Sequence, residues 1–175
     1  LRKGRYSVWS VVNDADARSV VIDPLVTLDR TTAVTLDARV ARPISLTVPA
    51  ADAVPTLGAV DLHVTGAGWE FQYTVLDGTF DNLYVGQPDP TEQLPELSTM
   101  FTGHFKQRPG QDPTTPSPYV YNTVATTTGH APSGFVKRFT DGEMARVEAA
   151  YAGQGVATGN AGAYAHVKDG PVSWA

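Results

Sequence analysis

Residues 69–75 read Trp69-Glu70-Phe71-Gln72-Tyr73-Thr74-Val75. Apolar and polar side chains alternate without a break. A strict period of two predicts a half-buried β-strand, since successive side chains of a strand point to opposite faces. One face carries Trp69, Phe71, Tyr73 and Val75, the other Glu70, Gln72 and Thr74. The first face reads as core, or as a platform on which sugar rings stack. The core reading is favoured, because an apolar ladder alone has no polar groups to orient a sugar. Glu70 and Gln72 then form the candidate contact surface.

The pattern extends in both directions. Gly66-Ala67-Gly68 is turn chemistry, and residues 59–65 form a preceding strand. Asp77-Gly78 is a hairpin signal leading to a strand over 80–85. Residues 87–95, rich in Pro and acid, read as a surface loop, and 97–106 as a strand. Residues 108–118 carry four prolines and read as a mobile loop. Strands follow at 119–125, 134–139 and 163–167. Toward the amino terminus, residues 5–12 and 19–22 are strands joined by Asn13-Asp14-Ala15-Asp16. Val26-Thr27-Leu28-Asp29 and Val34-Thr35-Leu36-Asp37 echo each other and read as a hairpin. Residues 43–48 give a further strand.

A single helix is expected over 141–152. Thr140 and Glu143 stand at capping-box spacing. Met144, Val147 and Tyr151 make an apolar stripe, and Gly153 provides the stop. The fold class is therefore mostly β, with β-sandwich-type segments and one short α-helix. The small residues and prolines of 49–56 suggest a linker. It would divide the closing strands of a small, amino-terminally truncated sandwich (1–48) from a second β domain (57–175).

Composition narrows the function classes. The chain has 175 residues and a net charge of −5, with its Lys and Arg scattered. Nucleic acid binding needs clustered cations to displace counterions, so no nucleic acid partner is expected. No apolar run approaches the length of a membrane span, so no membrane partner is expected either. Cysteine is absent and Arg outnumbers Lys, a usage that suits an exported bacterial protein. A secreted, extracellular setting is expected. The chain begins at Leu1 without Met and reads as a piece of a longer protein.

The candidate chemistry is sparse. Asp61 and His63 share a strand face and could orient an imidazole, although a polar surface pair is the commoner outcome. Asn13, Asp14 and Asp16 offer hard oxygens for Ca²⁺, but without the glycine and distal glutamate of an EF-hand loop they read as a turn. Glu143 and Glu148 have capping and surface roles available. No phosphate loop, dinucleotide fingerprint or Gly-x-Ser-x-Gly elbow occurs. No catalytic, cofactor-binding or metal-binding residue is assigned, and no cofactor is expected.

Several strings, taken in order, resemble the region that follows the catalytic domain of secreted bacterial subtilisin-like serine peptidases. They are Leu1-Arg2-Lys3-Gly4-Arg5-Tyr6, Val26-Thr27-Leu28-Asp29 and Leu36-Asp37-Ala38-Arg39-Val40-Ala41-Arg42-Pro43. Phe80-Asp81-Asn82-Leu83-Tyr84, Ser117-Pro118-Tyr119-Val120-Tyr121-Asn122 and Pro132-Ser133-Gly134-Phe135 complete the set. The resemblance implies a non-catalytic accessory module, with an upstream catalytic domain of the same polypeptide as partner. That module would stabilise or position the peptidase domain. A module binding an extracellular polysaccharide or protein is the alternative, and an independent hydrolase with an unrecognised site the third reading.

Overall fold

The computed structural model describes residues 1–66, 68–110 and 117–148. It is a sandwich of two sheets. Nine strands are described: β1 (Gly4–Asp14), β2 (Ala17–Leu28), β3 (Arg42–Thr47), β4 (Ala53–Gly66), β5 (Trp69–Asp77), β6 (Leu83–Gly86), β7 (Leu97–Gln107), β8 (Val120–Thr128) and β9 (Phe135–Arg138). One sheet has the order β1-β2-β6-β3-β9, the other β5-β4-β7-β8. The second is antiparallel throughout. In the first, β2 runs parallel to β6, and β3 parallel to β9.

Alternation decides which side chains meet between the sheets. Val60, Leu62 and Val64 of β4 face Val20 and Ile22 of β2, Ile44 and Leu46 of β3, and Leu83 and Val85 of β6 in one core. Phe101 of β7 stacks on Phe135 of β9 with centroids 4.0 Å apart, which ties the far ends of the sheets together. The turn at 13–16 is local chemistry, with the Asp14 carboxylate accepting from the Ala15 amide at 2.7 Å.

Four expectations are corrected. The sides of the expected linker at 49–56 are not separate domains: β2 and β3 both pair with β6, and β4 already begins at Ala53. Strands from both sides thus share a sheet and a core. The echoed strings at 26–29 and 34–37 do not form a hairpin. Val26 pairs with Tyr6 of β1, whereas Asp37 caps a 3-10 turn at Ala38–Val40 by accepting from the Arg39 amide at 2.9 Å. Asp77-Gly78 does not join two neighbouring strands either. Burial of Phe80 and Leu83 carries the chain across to the other sheet, where β6 pairs with β2.

The expected helix over 141–152 is, within the described residues, a 3-10 turn at Asp141–Glu143 only. The Glu143 carboxylate accepts from both the amide and the hydroxyl of Thr140, each at 2.9 Å, and also pairs with Lys137. That carboxylate therefore ties the turn back to β9 instead of seeding a helix. Residues 149–152, the expected strand at 163–167, the turn residue 67 and most of the proline loop (111–116) lie outside the described residues.

Candidate functional site

Among the described residues the sandwich is open along one side, where the edge strands β1 and β5 run past each other. Opposite Ser7 of β1, the partner strand carries two residues, Pro24 and Leu25, between the pairs Tyr6–Val26 and Val8–Asp23. This is a bulge on β2, and proline is tolerated there because a bulged position is not required to donate an amide to the ladder. The Ser7 hydroxyl donates to the Pro24 carbonyl at 2.8 Å and satisfies it. The aromatic row of β5 faces β1 across this opening. The Trp9 ring lies 3.8 Å from Tyr73 and 5.9 Å from Phe71, centroid to centroid.

Phe71 and Tyr73 are half-buried and Val75 is buried, so the inward face expected from alternation is present for these three. Trp69 differs, being 56% exposed. Its partner across the β4–β5 pair is Gly66, and a Cβ built on Gly66 would sit 2.1–2.5 Å from atoms of the indole. The ring thus lies against bare backbone, a position that only glycine leaves open. A flat aromatic surface is held at the lip of the opening.

Beneath that lip is a cleft of about 630 Å³. Tyr6, Trp9, Trp69 and Phe71 give it aromatic walls, and Arg5, Glu70 and Glu96 give it charged groups. The polar groups that the apolar face of β5 lacks are thus supplied by Arg5 of β1, by Glu70 from the other face of β5 and by Glu96 just before β7. Convergence of a few polar groups on an apolar cavity of this size is the usual form of a small-ligand site. On the other side of the Trp9–Tyr73 stack is a second cavity of about 530 Å³, lined by Ser10, Asn13, Arg18 and Thr74 among others. Arg18 closes its far end by donating to the Leu76 carbonyl at 2.6 Å and to Asn13 Oδ1 at 3.1 Å.

Glu70 and Gln72 are exposed on the outer face of β5, and each is tied to the neighbouring strand β4. Glu70 Oε1 lies 2.6 Å from His63 Nε2. Gln72 donates to Asp61 Oδ1 at 3.5 Å, and the Thr74 hydroxyl donates to the same oxygen. Glu70 also borders the cleft, whereas Gln72 does not line it. Asp61 and His63, expected as a solvent-facing pair, are only 2% and 8% exposed. Burial raises the Asp61 carboxyl above its ordinary range, against the opposing effect of the bonds from Thr74 and Gln72. Asp61 Oδ2, His104 Nε2 and Asn122 Oδ1 are buried on this sheet with no hydrogen-bond partner among the described residues.

Asn13 and Asp14 are engaged by Arg18 and the Ala15 amide. Glu148 pairs with Arg146 at 2.8 Å, apart from Glu143 and its Lys137 partner. Among the described residues no three His, Asp or Glu side chains come together in a way that could hold a metal ion. The sequence signal for the cleft was divided between Trp9 and the 69–75 ladder, which lie far apart in the chain. Arg5 and Glu96 carried no signal. Comparison of the chain with models of known protein families, with curated proteins and with solved structures found no match.

Proposed function

We propose that this chain is a non-catalytic binding module whose ligand is a glycan, held in the cleft between β1 and β5. The observation that carries this reading is the placement of Trp69. It is a large apolar ring that remains mostly exposed, is backed by Gly66, and overhangs a cleft bordered by Arg5, Glu70 and Glu96. Sugars present apolar faces to aromatic rings and hydroxyls to charged groups, and this lining offers both. A ring already held in place loses little side-chain freedom on binding. Glu70 is the member of the expected contact surface that this reading retains, whereas Gln72 bonds to Asp61 away from the cleft.

A glycan ligand suits the secreted, extracellular setting expected from the sequence. The resemblance to segments that follow subtilisin-like catalytic domains supplies the context. There the module would keep an upstream peptidase domain close to a polymer or a coated surface. The test is retention on insoluble polysaccharides, with melting measured in parallel. Trp69→Ala is expected to abolish retention and to leave the melting temperature nearly unchanged. Gly66→Ala, which displaces the indole, is expected to weaken retention as well. Loss of fold without selective loss of retention in Trp69→Ala would assign that ring to the core and remove the glycan reading.

A further inference from the structure

The opening between β1 and β5 does not end at the first cleft. Residues 5–13 of β1 border both cavities, Arg5, Ser7 and Trp9 the first, and Trp9, Val11 and Asn13 the second. Across from them β5 presents Trp69 and Phe71 to the first, and Tyr73 and Val75 to the second. The two cavities are therefore consecutive stretches of one furrow, separated by the Trp9–Tyr73 stack. Eight residue steps of strand span about 26 Å, several sugar rings in length. The chemistry changes along the way. The Trp69 end is walled by aromatic rings, whereas the far end offers the amide of Asn13 and the guanidinium of Arg18.

Resting on the glycan reading above, we infer that the furrow takes a linear oligosaccharide lengthwise, in two subsites. One ring stacks on Trp69 in the aromatic subsite, and the chain passes over the Trp9–Tyr73 stack to a polar subsite at Asn13. A linear glycan suits this route better than a peptide strand does. A peptide would use the backbone edges that β1 and β5 present among the described strands and would have no need of an exposed Trp69 resting on Gly66. Asn13 acts through its side-chain amide, whose oxygen is already held by Arg18 and whose amino group is left to donate to a sugar hydroxyl.

The experiment titrates the whole chain with β-1,4-linked glucose, mannose and N-acetylglucosamine oligomers, from disaccharide to hexasaccharide. Affinity for the bound series is expected to rise with length well beyond the disaccharide. Asn13→Ala should cost about three- to tenfold for the longest oligomer, the worth of one hydrogen bond, and leave the disaccharide unaffected. Val11→Phe, on the furrow face of β1, narrows the polar subsite and should cut long oligomers back to disaccharide affinity. If the disaccharide binds as tightly as the hexasaccharide and both variants are neutral, the second subsite is overturned while the Trp69 site stands. If no oligomer binds, and a peptide of alternating apolar residues instead shifts the amide resonances of β1 or β5, both readings fall together.

Discussion

Phe80 reaches the core because two glycines lie beneath it. Gly58 of β4 and Gly103 of β7 are direct partners across the sheet. A Cβ on Gly58 would meet the Phe80 ring at 2.8 Å, and one on Gly103 would meet the Phe105 ring at the same distance. The rings are buried and rigid and cannot move aside. Gly58→Ala is therefore expected to destabilise the protein by about 1–3 kcal/mol through overpacking, read from the urea midpoint. Asp61 makes the opposite case. Its raised carboxyl pKa means that the folded state binds the proton more tightly than the unfolded chain. Stability should accordingly increase as pH falls from above the raised folded value to below the ordinary 3.8. Asp61→Asn keeps an acceptor for Thr74 and Gln72 without the buried charge. It should be more stable than the parent at pH 7, with the difference shrinking at pH 3. Urea titrations at the two pH values check the sign, and an advantage independent of pH would contradict it.

At the scale of elements, the loops are held by single polar residues more than by their own propensities. Residues 87–95 are the expected surface loop over much of their length, yet Gln87 is 1% exposed and Leu94 is buried. Gln87 donates to the Glu92 carbonyl at 2.7 Å and to the Asp89 carbonyl, and accepts from the Ala131 amide at 3.1 Å. One side chain thus fastens the β6–β7 connection to the segment before β9. Gln87→Ala would strand all of these groups at once and should cost about 3 kcal/mol, seen in the urea midpoint and in faster exchange of the Ala131 amide. The turn after β9 depends on Glu143, held down to about 2 by Lys137 first and by Thr140 second. A depressed carboxyl contributes to folding above its unfolded value of 4.5 and loses that contribution as pH falls through about 2. An NMR titration of the Glu143 side chain should find its midpoint near 2, and Lys137→Met should move it upward.

For the whole molecule, the decisive fact is that strands from the first 48 residues and from the remainder share one core. Val20, Ile44, Val60 and Leu83 lie in the same cluster, and Leu83 is fully buried on β6 between β2 and β3. Leu83→Ala should cost about 2–5 kcal/mol. Denaturation followed by far-ultraviolet dichroism and by tryptophan fluorescence should give coincident curves before and after this change. Two separated transitions would restore a boundary near 49–56. Several of the residues that carry the resemblance to peptidase-associated segments are also ones on which this core and its turns depend. Phe80 and Leu83 are buried, Asp37 caps a turn, and Gly134 has a φ of +80°. Such positions speak to how a chain folds more directly than to what it binds.

The sequence alone determined the mostly β class and the faces of individual strands. Period-two alternation is local, so Phe71, Tyr73 and Val75 were placed inward and Glu70, Gln72 and Thr74 outward from a few residues of chain. Partner choice is not local. Nothing within 26–37 or around 77–78 states whether the next strand lies alongside or in the opposite sheet, since sheet pairing is set by contacts distant in sequence. Only the tertiary structure decided that β6 crosses to β2, that Asp61 and His63 are buried, and that Trp9 meets Tyr73. The same packing left Trp69 outside the core although it belongs to the inward row of its strand. Its ring rests instead on Gly66, its partner on β4, at the mouth of the furrow.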